Sequence, residues 1–148
     1  MKTYYRTIVL SDIHLGTNSS KAKEVTKFLK YHKCETLILN GDIIDGWQLK
    51  KSGKWQKRHT NFFKHIINLT SKNKCEVIYL RGNHDDFLEE MIPFTFGRFQ
   101  IKKYHIHYGL EKKYFVTHGD IFDNVTSKFK WIAKLGDIGY TFLLWFNH

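Results

Sequence analysis

The sequence predicts an α/β layered fold, and three observations carry that prediction. Short apolar runs recur along the chain: Thr7-Ile8-Val9-Leu10, Leu37-Ile38-Leu39 and Val77-Ile78-Tyr79-Leu80. Each reads as a buried strand. The segments between them space their apolar residues as helices do. Each run also stops at polar side chains: Asp12 and His14, Gly41-Asp42, and Gly82-Asn83-His84-Asp85. Strands alternating with helices form layered α/β folds, in which ligands gather at the carboxyl ends of the strands.

The bulk properties fit this reading. A chain of 148 residues suits one domain with its own core, and 42% hydrophobic residues argue against disorder. The formal net charge of +10 favours an anionic partner, a phosphate ester, a nucleic acid or an acidic membrane surface, without choosing among them. Cys34 and Cys75 fit no disulfide framework and read as buried reduced thiols. The start, Met1 to Arg6, lacks the apolar region of a signal peptide, and no segment reaches the roughly 20 apolar residues of a membrane span. A cytoplasmic location is the default expectation.

Taken in order, Tyr4 to Leu10 reads as the first strand. Ser19 or Ser20 is placed to cap a helix running to about Tyr31, with Ala22, Val25, Phe28 and Leu29 at helical spacing. Leu37 to Leu39 is the second strand. Ile43 to Lys54 reads as an irregular loop, because of Gly46, Gly53 and the Lys50-Lys51-Ser52 run. Trp55 to about Ser71 is the clearest helix, with Phe62, Phe63, Ile66, Ile67 and Leu69 as its buried stripe. After the third strand, a short acidic helix from Asp85 to about Met91 stops at Pro93. Strands follow at Tyr104 to Tyr108 and Tyr114 to Thr117, then helices from Val125 to Leu135 and from Ile138 to Phe146.

The polar strand ends carry the chemistry. Alternation along a strand turns Asp12 and His14 to the same side. Asp12, His14, Asp42, Asn83 and His118 together supply carboxylate, amide and imidazole donors, a mixture suited to Mn²⁺, Fe or Zn²⁺. Asp42, in a tight Gly-Asp turn, is the candidate bridge between two cations roughly 3.5–4 Å apart, which would grip a phosphate and activate water. His84 is placed to protonate a leaving oxygen or to bind phosphate, with Asp85 as the candidate that orients its ring. Each piece has a plainer reading. Asp-x-His after a strand is commonly a turn with a capping carboxylate, Gly-Asp is commonly a turn, and His118 alone reads as a satisfied core histidine. Several such loops after buried strands in one short chain favour a metal site.

The same motifs carry a resemblance. Ser11-Asp12-Ile13-His14-Leu15-Gly16, Asn40-Gly41-Asp42-Ile43-Ile44-Asp45-Gly46-Trp47, Arg81-Gly82-Asn83-His84-Asp85 and Val116-Thr117-His118-Gly119-Asp120 together resemble the calcineurin-like metallophosphoesterases, in the right order. The resemblance implies an αββα sandwich and a two-metal site. It implies that Asp12 and His14 bind one metal, that Asp42 bridges, that Asn83 and His118 bind the other, and that His84 assists the leaving group. Asp45, Trp47 and the run His118 to Asp123 look like the branch containing UDP-2,3-diacylglucosamine hydrolase, which cleaves a pyrophosphate bond, usually with manganese, in lipid A synthesis. That enzyme carries arginine where this chain has His84. The family closes its site with Gly-His-x-His, and nothing after Asp120 matches. His105-Ile106-His107 has the spacing but precedes His118, and reads as a solvated strand face. The expectation is therefore one phosphoesterase domain over 1–148, incomplete at its C-terminus, with a helical lid or insertion beginning at about 124.

Two stretches have competing readings. The apolar run Tyr140 to Phe146, behind Lys128, Lys130 and Lys134, reads as core or lid completed by absent residues, with peripheral membrane contact through 125–146 as the alternative. The basic run Lys50 to Arg58 reads as a solvated loop and helix start, with nucleic-acid binding through phosphates and a stacking Trp as the alternative. The expected function is metal-dependent hydrolysis of phosphoester or pyrophosphate bonds in a phosphorylated small molecule or lipid nucleotide. A general phosphomonoesterase, phosphodiesterase or nuclease is the second reading, and a non-catalytic metal-binding fragment the third.

Overall fold

The computed structural model describes residues 2–122. The chain divides into two compact units, 1–118 and 119–148. The first holds the fold and the site. Of the second, only 119–122 are described, opening with a turn in which Phe122 N–H donates to Gly119 O at 3.0 Å. The expected C-terminal helices, and with them the lid or membrane-contacting segment, lie outside the described residues.

Strands β1 (Thr3–Leu10), β2 (His32–Asn40) and β3 (Glu76–Leu80) lie side by side and parallel. Helix α1 (Ala22–Tyr31) connects the first two strands. A short helix α2 (Gly46–Lys51) and the long helix α3 (Lys57–Lys72) connect the second and third. After β3 come a 3-10 helix (Asp86–Met91), β4 (Phe94–Phe96) and β5 (Phe99–Lys102). The sheet order is β1-β2-β3-β5-β4, with only β4 antiparallel to its neighbour. Strands β6 (Tyr104–Tyr108) and β7 (Lys113–Thr117) form a separate antiparallel pair.

The apolar strands are sided by their alternation. Leu37, Leu39, Val77 and Tyr79 pack in one cluster with Ala22, Leu29, Phe62, Ile66 and Leu69 from the helices. Ile38, Ile78 and Leu80 turn the other way and meet Val116 of β7. The described residues therefore stack as helices, main sheet and second sheet, which is the expected α/β class with a parallel-dominated sheet. Phe62 is fully buried in the helix-side layer. Register places the functional edge: Leu10 pairs with Leu39 and Asn40 with Leu80, so three strands end together and their loops leave from one edge.

Several local expectations change. Ser20 does not cap α1. Lys21 holds the N-cap position without a side-chain cap, and Ser20 Oγ donates to Ile13 O at 2.9 Å, tying the helix start to the first site loop. The loop expected over 43–54 contains α2, because Asp45 accepts from Gln48 N–H at 2.8 Å and caps it. The acidic helix is 3-10 and starts one residue later, at Asp86. Ile67 lies off the buried stripe of α3, at 62% exposure. Strands β4 and β5 were not foreseen. They form a hairpin around Gly97-Arg98, with Gly97 at φ 57°, a two-residue loop of the kind glycine permits. His105 and His107 do share a strand face, but it is half-buried, and His107 Nε2 lies 3.1 Å from Thr7 Oγ1 of β1. Cys34 and Cys75 are free and buried, their sulfurs 3.7 Å apart.

Candidate metal centre

The first site loop does not continue the strand. Asp12 and His14 both have positive φ, 55° and 50°, and so does Asp42, at 54°. That left-handed region is disfavoured for residues with a Cβ, though Asp and His tolerate it better than most. Their convergence therefore comes from paired turns rather than from strand alternation. Backbone bonds hold the turns in place: Asp12 N–H donates to Gly41 O at 3.2 Å, His14 N–H to Asp42 O at 3.0 Å and Leu15 N–H to Ile43 O at 2.8 Å. Local strain of this kind, over-determined by its surroundings, collects at functional sites.

The third loop is bolted to the second. His84 N–H donates to Asp42 Oδ1 at 2.9 Å, and Gly46 N–H donates to His84 O at 3.0 Å. Asp85 is fully buried and accepts from Ile43 N–H at 3.1 Å and Ile44 N–H at 2.8 Å. Burial pushes its carboxyl up, against those two N–H groups and the Tyr79 hydroxyl beside it. The expectation that Asp85 orients the His84 ring is thus corrected. Its oxygens are committed to the backbone of the Asp42 loop.

Asp45 occupies the place expected of Asp85. Its Oδ1 lies 3.1 Å from His84 Nδ1, and its Oδ2 lies 3.4 Å from His14 Nδ1. Burial works against its charge and is the largest influence. The Gln48 N–H and the His84 and His14 rings outweigh it, and hold the carboxyl below the ordinary range. Each Nδ1 thus faces the Asp45 carboxylate, and each Nε2 lies on the other side of its ring, 3.9 Å from Asp12 Oδ1 for His14 and 3.9 Å from Asp42 Oδ2 for His84. His118 is oriented the same way: its Nδ1 lies 3.1 Å from Asn40 O, and its Nε2 lies 3.5 Å from Asp42 Oδ2.

Two groups of side chains able to hold a cation result, each with donor atoms within 4.8 Å of one another: His14, Asp42 and His84, and Asp12, Asp42 and His118. Asp42, only 4% exposed, belongs to both. This grouping differs from the one the resemblance implies, since it sets His84 beside His14 and His118 beside Asp12. Asn83 is half-buried in the same turn as His84. Two glycines keep the space open. A Cβ at Gly82 would collide with Asp42 Oδ1, and one at Gly41 would collide with the His118 ring. Hard carboxylates and borderline imidazoles around one shared aspartate suit divalent Mn, Fe or Zn, so the donor set fits the expected metals.

A family model of calcineurin-like phosphoesterases matches residues 5–148. The chain belongs to the calcineurin-like phosphoesterases. No curated protein and no solved structure matches it. For this phosphoesterase, membership explains why the polar strand ends meet at one edge, and it assigns metal-dependent phosphoester hydrolysis in general terms. Among the described residues, no helix is long and apolar enough to cross a membrane.

Asp45 is the site residue that sequence reasoning used only as a subfamily marker. Its signal was its place three residues after Asp42, at the start of a helix that was not recognised. His59 was missed altogether. It is fully buried on α3 and accepts the Gly16 and Gln56 N–H groups at Nδ1, each at 3.2 Å, fastening the first site loop to the helix layer.

Proposed function

We propose that this phosphoesterase works with two divalent cations, manganese being the first choice, and that it cleaves phosphodiester or pyrophosphate bonds. The observation that carries the reading is Asp42, shared by both ligand groups. Asp12, His14, Asp42, Asn83 and His118 hold the cations. When bound, these ions neutralise phosphate charge and lower the pKa of water.

The chain's own residues do the rest. Asp45 keeps the His14 and His84 rings turned so that Nε2 faces the centre. His84, its Nε2 3.9 Å from Asp42 Oδ2, holds a proton beside the leaving oxygen and delivers it as the ester bond breaks. Trp47, its ring 4.3 Å from that of His84, limits the ring's swing. The narrower reading, a sugar-nucleotide pyrophosphate such as UDP-2,3-diacylglucosamine, draws support from Asp45 and Trp47 following Asp42.

Asp42→Ala is expected to abolish both bound Mn²⁺ ions, read by elemental analysis, together with all turnover. His84→Ala is expected to keep the metal and lose about 10²-fold or more in kcat. An Asp42→Ala protein that binds metal normally would overturn the shared-ligand reading. UDP-diacylglucosamine left untouched while simple diesters turn over would remove the narrower substrate.

A further inference from the structure

A cavity of about 610 Å³ opens from the metal centre on the side of Asp12, His14 and Asp45. The rest of its lining comes from Ile13, from 16–21, from Gln48 of α2 and from 52–54 of the α2–α3 connection. It is as large as a small-molecule pocket, and it shares Asp12, His14 and Asp45 with the site. A substrate whose scissile phosphate sits among Asp12, Asp42 and His14 has room here for the groups it carries beyond that phosphate.

The charges of the lining are unequally partnered. Of the two carboxylates in the lining, Asp12 belongs to a group able to hold a cation and Asp45 stands against the His14 and His84 rings. Apart from Asp12 and Asp45 the lining holds no carboxylate, and it includes Lys21 and Lys54 together with the neutral Ser19 and Ser52. Among the described residues, neither lysine has a carboxylate partner. The wall is also preorganised. Thr17 Oγ1 donates to His14 O at 2.9 Å, Gln56 Nε2 donates to Asn18 Oδ1 at 2.8 Å, and Arg58 Nη2 donates to Asn18 O at 2.8 Å. Ser20, with its bond to Ile13 O, pins the residue before Lys21. Two exposed lysines in the lining of a cavity that adjoins the centre offer a place for a second negative charge.

We propose that Lys21 and Lys54 form a subsite for a second anionic group of the substrate, a phosphate or carboxylate carried beyond the scissile phosphate. This rests on the phosphoesterase reading of the adjoining centre. It adds a selection rule: esters with a second anion are preferred to those without one. It also gives part of the basic run at 50–58 a role other than nucleic-acid contact.

The test compares two chromogenic esters that differ by one phosphate: thymidine 5′-(p-nitrophenyl phosphate) and its 3′-phosphorylated form. With Mn²⁺-loaded full chain, the phosphorylated ester is expected to have a kcat/KM at least tenfold higher, mostly through KM. In Lys21→Ala and Lys54→Ala the ratio should fall toward one, Lys21→Arg should restore most of it, and Lys23→Ala, outside the cavity, should leave it alone. A wild-type ratio near one overturns the proposal, as does a loss in the variants that is equal for both esters. Calorimetry with thymidine 3′,5′-bisphosphate and thymidine 5′-monophosphate separates this proposal from the hydrolase reading. If neither ester turns over but the bisphosphate still binds tenfold tighter through the two lysines, the subsite stands and the hydrolase reading falls. Equal binding removes the subsite.

Discussion

Asp42 accepts the His84 N–H, stands beside His118 Nε2, and adopts a positive φ that only its neighbours enforce. Asp45 is its quieter counterpart, touching two histidines rather than the reacting phosphate. Asp45→Asn should therefore keep the fold but misorient both rings. A loss of about 10–100-fold in metal affinity or kcat is expected, the range typical when a ligand's orienting partner is removed. Metal titration and steady-state kinetics check it, and wild-type values for both would show that Asp45 serves only as the cap of α2. The residue types Asp12, His14, Asp42, Asn83 and His118 were legible as donors because each ends or follows an apolar run. The division of labour between Asp45 and Asp85 was not legible. Both are acids one helix start away from a ligand, and only the distances separate a ring-orienting carboxylate from one spent on the Ile43 and Ile44 N–H groups.

At the scale of elements, α3 does more than cover the sheet. Its buried His59 accepts the Gly16 N–H, so the first site loop depends on a neutral imidazole. Burial, then the Arg58 charge, lower the pKa of His59, and burial likewise lowers those of His65 and His105. The unfolded chain then binds protons before the native one does. Stability from these groups is complete above the ordinary histidine value of about 6.5 and is lost as pH falls below it toward the depressed native values. Urea unfolding at pH 7.5 and 5.5 should show that loss. His59→Asn, which keeps an acceptor near the Nδ1 position, should flatten part of the slope, and a slope identical to wild type would count against His59. The strands β1 to β3 and the long helix were legible because their periodicity is local. Helix α2 and the β4–β5 hairpin were not. Glycine and lysine obscured the six residues of α2, and β4 has three exposed residues whose only reason to be a strand is its partner β5.

For the whole molecule, the site is where three parallel strands stop in register and four loops are pressed together. The left-handed turns of that edge gather carboxylate and imidazole donors around Asp42, and a bound cation would tie them together. Mn²⁺ at about a hundredfold its Kd should add about 2.7 kcal/mol to unfolding stability, and excess chelator should remove it. The shift in Tm between the two conditions measures this, and no shift would mean that the described centre does not bind the metal. The sequence by itself determined the α/β class, the order of the buried strands and the donor types at their ends, because burial of apolar runs and the character of strand-end residues are local properties. Only the tertiary structure decided which histidine meets which carboxylate, that Asp85 is structural, and that Lys21 and Lys54 line one cavity with Asp12 and His14. Those facts depend on contacts between residues some thirty to eighty positions apart, set by sheet register and loop packing.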